Sequence, residues 1–186
     1  VTGVQTCALP ILYHTVRFAS RHLYNPCEIA MIQVQHQKGD TLMNFDPVSM
    51  PKVELHCHLD GSLSKEFLMQ TLQLSTLDMH TIQAPANCQS LAEYLTCFDL
   101  PVSALQEKEH IRDAVVDVVR QAAAENVRYM EIRFAPMLSV NSHLDLENVV
   151  QAAVYGCQKA FDRYGVFTNL ILCAMRHHSP QQNHLV

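Results

Sequence analysis

Residues 52–62 read KVELHCHLDGS, a short apolar alternation that runs to His58 and breaks at the turn Asp60-Gly61-Ser62. The pattern predicts a buried β-strand. Side chains two apart on a strand share a face, so His56 and His58 project together, their roots about 7 Å apart along the chain, and Cys57 projects the other way. Two such imidazoles can share a metal ion. Neutral imidazole suits zinc, and a catalytic zinc takes about three protein ligands and keeps a place for water. Bound zinc lowers the pKa of that water to about 7. HxH alone is a weak pattern, but here it stands at a strand's C-terminal end, where parallel α/β folds place their sites. Asp60 comes immediately after, in the turn.

Working outward, Ser64 supplies an N-cap for a helix through Phe67, Leu68 and Leu72. Ser90-Leu91-Ala92-Glu93 has the form of a capping box, and behind it Leu91, Tyr94, Leu95 and Phe98 make one apolar helical face before Pro101. A second helix is predicted from about Glu109 to Glu125, with Ile111, Val115, Val118, Val119 and Ala122 on one side. Val127 to Phe134 (VRYMEIRF) reads as a strand. Leu146 to Tyr164 holds the helical period and Gly165 suits its C-terminal cap. Val166 to Met175 (VFTNLILCAM) reads as a third, buried strand. Alternating strands and helices imply parallel pairing, in a (β/α)8 barrel or a doubly wound sheet.

The 186 residues are 48% hydrophobic and 17% charged, with a net charge of −5, as in an ordinary globular domain. A mildly acidic chain offers no electrostatic reason to bind nucleic acid or an anionic membrane. Seven cysteines without CxxC spacing read as reduced thiols, and no apolar run approaches a membrane span. The chain's start lacks the pattern of a secretory signal, so the cytoplasm is the expected compartment.

MPKVELHCHLDGSLS, residues 50–64, closely resembles the opening of the adenosine deaminase family in the amidohydrolase superfamily. Three further stretches resemble it in order: SLAEYLTCFDLP (90–101), VRYMEIRFAP (127–136) and LILCAMRHHSP (170–180). The resemblance implies the N-terminal part, about three βα units, of an incomplete TIM-type (β/α)8 barrel. It implies that His56 and His58 are zinc ligands, with His58 also against the substrate, and that Asp60 hydrogen-bonds the ribose of adenosine. The adenine-deaminase branch typically has Glu at that position. Leu91, Leu95 and Phe98 match a helix covering the base and ribose pocket, although plain packing on the barrel would explain them equally well. The implied reaction is zinc-dependent hydrolytic deamination of adenosine and deoxyadenosine to inosine and ammonia in the full-length parent.

The family's third zinc histidine, ligating aspartate, orienting histidine and proton-donating glutamate belong to later strands, so no catalytic acid or base is assigned here. No H-x-x-E occurs after Pro136, nor the H-x-E…P-C-x-x-C signature of the deaminases of bases in nucleic acids. A barrel typically takes about 250 residues, so the chain alone is expected to be inactive and poorly soluble. Competing readings are another amidohydrolase, such as an adenine deaminase, and a zinc- or nucleoside-binding module without turnover. Tyr129, Glu131 and Arg133 share a strand face, and a buried Glu131–Arg133 pair is expected to fill the interior. His177 and His178 fall just past the third strand and are expected at the rim, Cys57 in the core, and His80, His110 and His143 at the surface.

The authentic portion is expected to be residues 43–186. Residues 1–11 (VTGVQTCALPI) resemble a translated sequencing adapter, and residues 12–42 fit poorly with the strand and helix patterning of the remaining chain. Lys38-Gly39-Asp40 can be encoded by a purine-rich, ribosome-binding stretch just ahead of Met43. Intact-mass measurement of the native protein is expected to find the start at Met43, with Met50 as the alternative; a start upstream of Leu42 overturns this.

Overall fold

The computed structural model describes residues 46, 48–85 and 87–186. The adapter-like start, the extension to residue 42 and the expected initiator Met43 lie outside the described residues. Three strands, β1 (Lys52–His58), β2 (Val127–Phe134) and β3 (Phe167–Leu172), pair in parallel in the order β1-β2-β3. Between β1 and β2 run α1 (Lys65–Thr71), α2 (Leu91–Leu95), α3 (Asp99–Ser103) and α4 (Lys108–Ala124). A single helix, α5 (Leu146–Tyr164), connects β2 to β3, and α6 (Pro180–Leu185) lies after β3. Strands paired in sequence order, each crossover turning with the same hand, put successive helices on one side of the sheet. That is the winding of a barrel; a doubly wound sheet reverses its strand order and covers both faces.

Side-chain parity divides the sheet accordingly. Met130, Ile132, Phe134, Leu170 and Leu172 are buried in the core with Val115, Val119, Val149 and Cys157 of α4 and α5. The other face of β2 carries Tyr129, Glu131 and Arg133. Each helix start is set by local chemistry. The Ser64 hydroxyl accepts the Phe67 N–H at 3.1 Å, and the Asp145 carboxylate accepts that of Asn148 at 2.8 Å. Gly165, at φ +66°, closes α5 as a left-handed cap. Helices α4 and α5 meet at Gly156, where an added Cβ would lie 2.7 Å from the Arg112 carbonyl oxygen and 2.8 Å from Val115 Cβ. Asp113 binds Arg112 at 2.6 Å and Lys159 of α5 at 3.0 Å, and these cations hold its carboxyl down at about 2.

Several sequence expectations need correction. The strand predicted over 166–175 is shorter, because Cys173 N–H makes a last bond to the Phe134 carbonyl and Met175 turns away to bond Asn183. β1 is not buried: Val53 is 63% and Leu55 56% exposed, since among the described residues β1 has a hydrogen-bonded neighbour, β2, on one side alone. The box at Ser90 half forms. Ser90 accepts the Glu93 N–H, but Glu93 reaches back to Gln89 N–H instead of Ser90. Pro101 does not lie beyond the helical segment. It sits in the first turn of α3, where its missing N–H has no intrahelical acceptor to lose.

The close approach at Gly156 leads to an expected outcome. Gly156→Ala should destabilise the fold by about 1–3 kcal/mol, because backbone and Val115 must give way. Gly165→Ala, with open space around it but a left-handed backbone, should cost about 1–2 kcal/mol. Urea-unfolding midpoints read both, and a Gly156→Ala protein as stable as the parent would contradict the packing described.

Candidate metal centre at the end of β1

A β-bulge lies between Glu54 and Cys57. Those two residues pair with Met130 and Ile132, so three steps along β1 match two along β2. Bulges re-aim side chains and are common beside functional sites. The His56 N–H turns to the Glu54 carboxylate, at 2.8 Å, and His58 arrives opposite Arg133. The result brings His56 Nε2 and His58 Nε2 to 3.2 Å, with ring centroids 5.2 Å apart and planes at 33°. Without a metal, one Nε2–H donates to the other ring's lone pair. With both lone pairs turned to one ion at a Zn–N distance of about 2.0–2.1 Å, nitrogens 3.2 Å apart subtend about 100°, near the tetrahedral angle. The donor pair therefore fits zinc. Among the described residues no group of three or more His, Cys, Asp or Glu comes together.

Immediately beyond, the Leu59 N–H donates to the Arg133 carbonyl at 2.9 Å and the Leu59 side chain is fully buried. The turn thus starts from a fixed point. Next along the chain is Asp60, with a buried Oδ1 that has no hydrogen-bond partner among the described residues. Burial raises the Asp60 pKa above the ordinary carboxylate value, with His58 pulling the other way. Burial likewise lowers the His58 pKa below 6.5, opposed by the Asp60 charge. Asp60 and Gly61 form one wall of a cavity of about 140 Å³, which Leu68, Tyr94, Cys97 and Phe98 help to line. A Cβ on Gly61 would approach Phe98 Cε1 to 3.2 Å, so the ring would have to give by a few tenths of an ångström.

Of the three expected covering residues, Phe98 reaches this cavity. Leu91 and Leu95 remain 58% and 51% exposed. The sequence alone gives Tyr94 and Cys97 no part in the pocket; the helical period places Tyr94 on the apolar face, whereas Cys97 comes in through a 3-10 turn at Thr96–Phe98. The expected Glu131–Arg133 pair is not formed. Glu131 Oε1 accepts the Tyr129 hydroxyl at 2.8 Å, and Asn169 donates to that hydroxyl at 2.8 Å, while Arg133 Nε is buried without a partner among the described residues. Residues two apart on a twisted strand share a face, but the nearer phenol competes for the carboxylate. Cys57 packs against the core and touches Ser62 Oγ at 3.3 Å. His177 and His178 stack edge-to-face beyond β3, with His178 Nδ1 buried and unpartnered among the described residues. His80 and His143 are exposed, and His110 is half-buried on α4.

Comparison with known proteins finds relatives of this chain. The family model described as adenosine deaminase matches residues 51–186. The adenosine deaminase of Vibrio atlanticus is 36% identical over 140 residues, 71% of this chain and 42% of the relative. That of Lacticaseibacillus casei is 39% identical over 143 residues, 72% of this chain and 42% of the relative. The chain therefore spans less than half the length of these relatives. Among solved structures, an amidohydrolase from Burkholderia ambifaria with bound Zn superposes with TM-score 0.59 at 22% identity, covering 72% of this chain and 38% of that one. An Arabidopsis N6-mAMP deaminase superposes with TM-score 0.58 at 26% identity, covering 72% and 43%.

The electrostatics of the turn give an expected titration. In the metal-free protein the His58 ring, tracked by NMR, should lose its proton with a midpoint below 6.5. Replacing Asp60 with Asn should move that midpoint lower still, because the carboxylate's attraction for the imidazolium is gone. A midpoint at or above 6.5 contradicts the burial argued for His58.

Proposed function

Since the chain belongs to the adenosine deaminase family, we propose that the whole protein hydrolyses the 6-amino group of adenosine and deoxyadenosine, yielding inosine and ammonia. In this reading His56 and His58 hold a zinc ion and Asp60 receives the ribose. The observation that supports it best is the pair of ring nitrogens 3.2 Å apart, with an unpartnered carboxylate oxygen two residues on.

The chain's own residues have distinct tasks. His56 and His58 present ring nitrogens to one point, and burial of His58 disfavours its protonated form. When bound, zinc supplies a water acidic enough to serve as nucleophile at neutral pH. Asp60 offers an acceptor that a sugar hydroxyl satisfies, relieving the cost of a buried oxygen without a partner. Charge repulsion at the same carboxylate favours a neutral nucleoside over its phosphate ester. Phe98 and Tyr94, in edge-to-face contact at 5.5 Å, give the cavity an apolar wall for the base. The 186-residue chain, which brings together two of the ligands, is expected to produce no inosine by itself.

In a protein extended to the length of its relatives, zinc content should approach one ion per chain and fall to near zero in the His56→Ala, His58→Ala double variant, with deamination lost. Asp60→Ala should retain zinc and raise KM for adenosine by about 10- to 100-fold, with a smaller change in kcat. Zinc retained by the double variant would refute the ligand assignment. Turnover of adenosine by the 186-residue chain would refute its expected inactivity.

A further inference from the structure

Asp117 lies on α4, away from the zinc pair and outside the cavity, yet it is 8% exposed, a deep burial for a carboxylate. Four donors converge on it. Oδ2 accepts the Ser64 backbone N–H at 2.8 Å and the Gln121 side-chain amide at 3.2 Å. Oδ1 accepts the Ser64 hydroxyl at 2.9 Å and Arg120 Nη2 at 2.7 Å. Gln121 Nε2 also donates to the Ser62 carbonyl, at 2.9 Å. A buried carboxylate answered by so many donors is a strong anchor, since its hydrogen bonds are charge-assisted and removing it leaves several donors unsatisfied.

The anchored segment is the far end of the turn after β1. The near end is pinned where the Leu59 N–H meets the Arg133 carbonyl, at 2.9 Å. Between that pin and the Ser62–Ser64 bonds stand Asp60 and Gly61. Helix α1 is not independently rooted at that point: its N-cap is Ser64, whose hydroxyl both accepts the Phe67 N–H and donates to Asp117. The backbone path that aims the Asp60 carboxylate into the cavity is therefore set by β2 on one side and by α4 on the other. We propose that Asp117, seconded by Gln121, is a positioning residue for substrate binding: it fixes the β1–α1 turn so that Asp60 meets the sugar. This rests on the ribose contact assigned to Asp60.

The test compares steady-state kinetics and amide exchange in the full-length protein. Asp117→Asn keeps the shape of the side chain and loses part of its acceptor capacity. It should raise KM for adenosine about tenfold while kcat stays within about twofold, and it should speed exchange of the 59–64 amides without changing those of α5 and β3. In an Asp60→Ala background the same substitution should leave KM unchanged, because the carboxylate it aims is absent. If Asp117→Asn does not fold, Gln121→Met, which releases the Ser62 carbonyl, should show the same pattern at a smaller size. An unchanged KM, a loss confined to kcat, or an equal KM penalty in the Asp60→Ala background would overturn the proposal. Should Asp60→Ala itself leave KM unaltered, the sugar contact fails, and with it Asp117's part in binding; the exchange data then report on the anchoring alone.

Discussion

The parallel ladder between β1 and β2 is the constraint on which the site depends. Its bulge between Glu54 and Cys57 turns His56 and His58 toward one another, and its last bond, Leu59 N–H to the Arg133 carbonyl, fixes where the strand stops and the turn begins. Remove that register and the two imidazoles separate, Asp60 loses its starting point, and Arg133 no longer stands beside His58. A slip by one residue would exchange the faces, sending the histidines into the helix layer and Cys57 to the open side.

Rigid support for this ladder comes from the helix layer. The apolar side of β2 and β3 is sealed by α4 and α5, which approach closely enough at Gly156 that a methyl group has no room. The opposite face of β2 carries Tyr129, Glu131 and Arg133, and the buried side-chain atoms that lack partners among the described residues are Asp60 Oδ1, Arg133 Nε and His178 Nδ1. All three belong to segments at or after the C-terminal ends of the strands. Buried polar atoms without hydrogen bonds are costly, and these three gather toward one end of the sheet.

Much of this was legible in the sequence. The bounds of β1, β2 and α5 come from period and caps, because each is a local pattern: alternation for the strands, Asp145 and Gly165 for the helix. The convergence of His56 and His58 comes from the two-residue period. Less local features were not legible. The Glu131–Arg133 pairing failed because the Tyr129 hydroxyl, from the same strand, took the carboxylate and is itself held by the Asn169 amide of the next strand. The capping box at Ser90 opened because Glu93 found the N–H of Gln89 first. Asp117 stands among apolar residues of α4, and no spacing rule ties it to Ser64, 53 residues earlier.

The sequence by itself determined the elements, the parallel order they imply and the pair of histidines on one strand face, since each depends on residues within a turn or two of one another. Tertiary structure alone decided the 3.2 Å between the two imidazole nitrogens, through a bulge that exists only when β1 lies against β2. It also decided that the turn carrying Asp60 is held from α4. Contacts across such separations are set by how the helix layer docks on the sheet, and a one-dimensional pattern does not contain that distance.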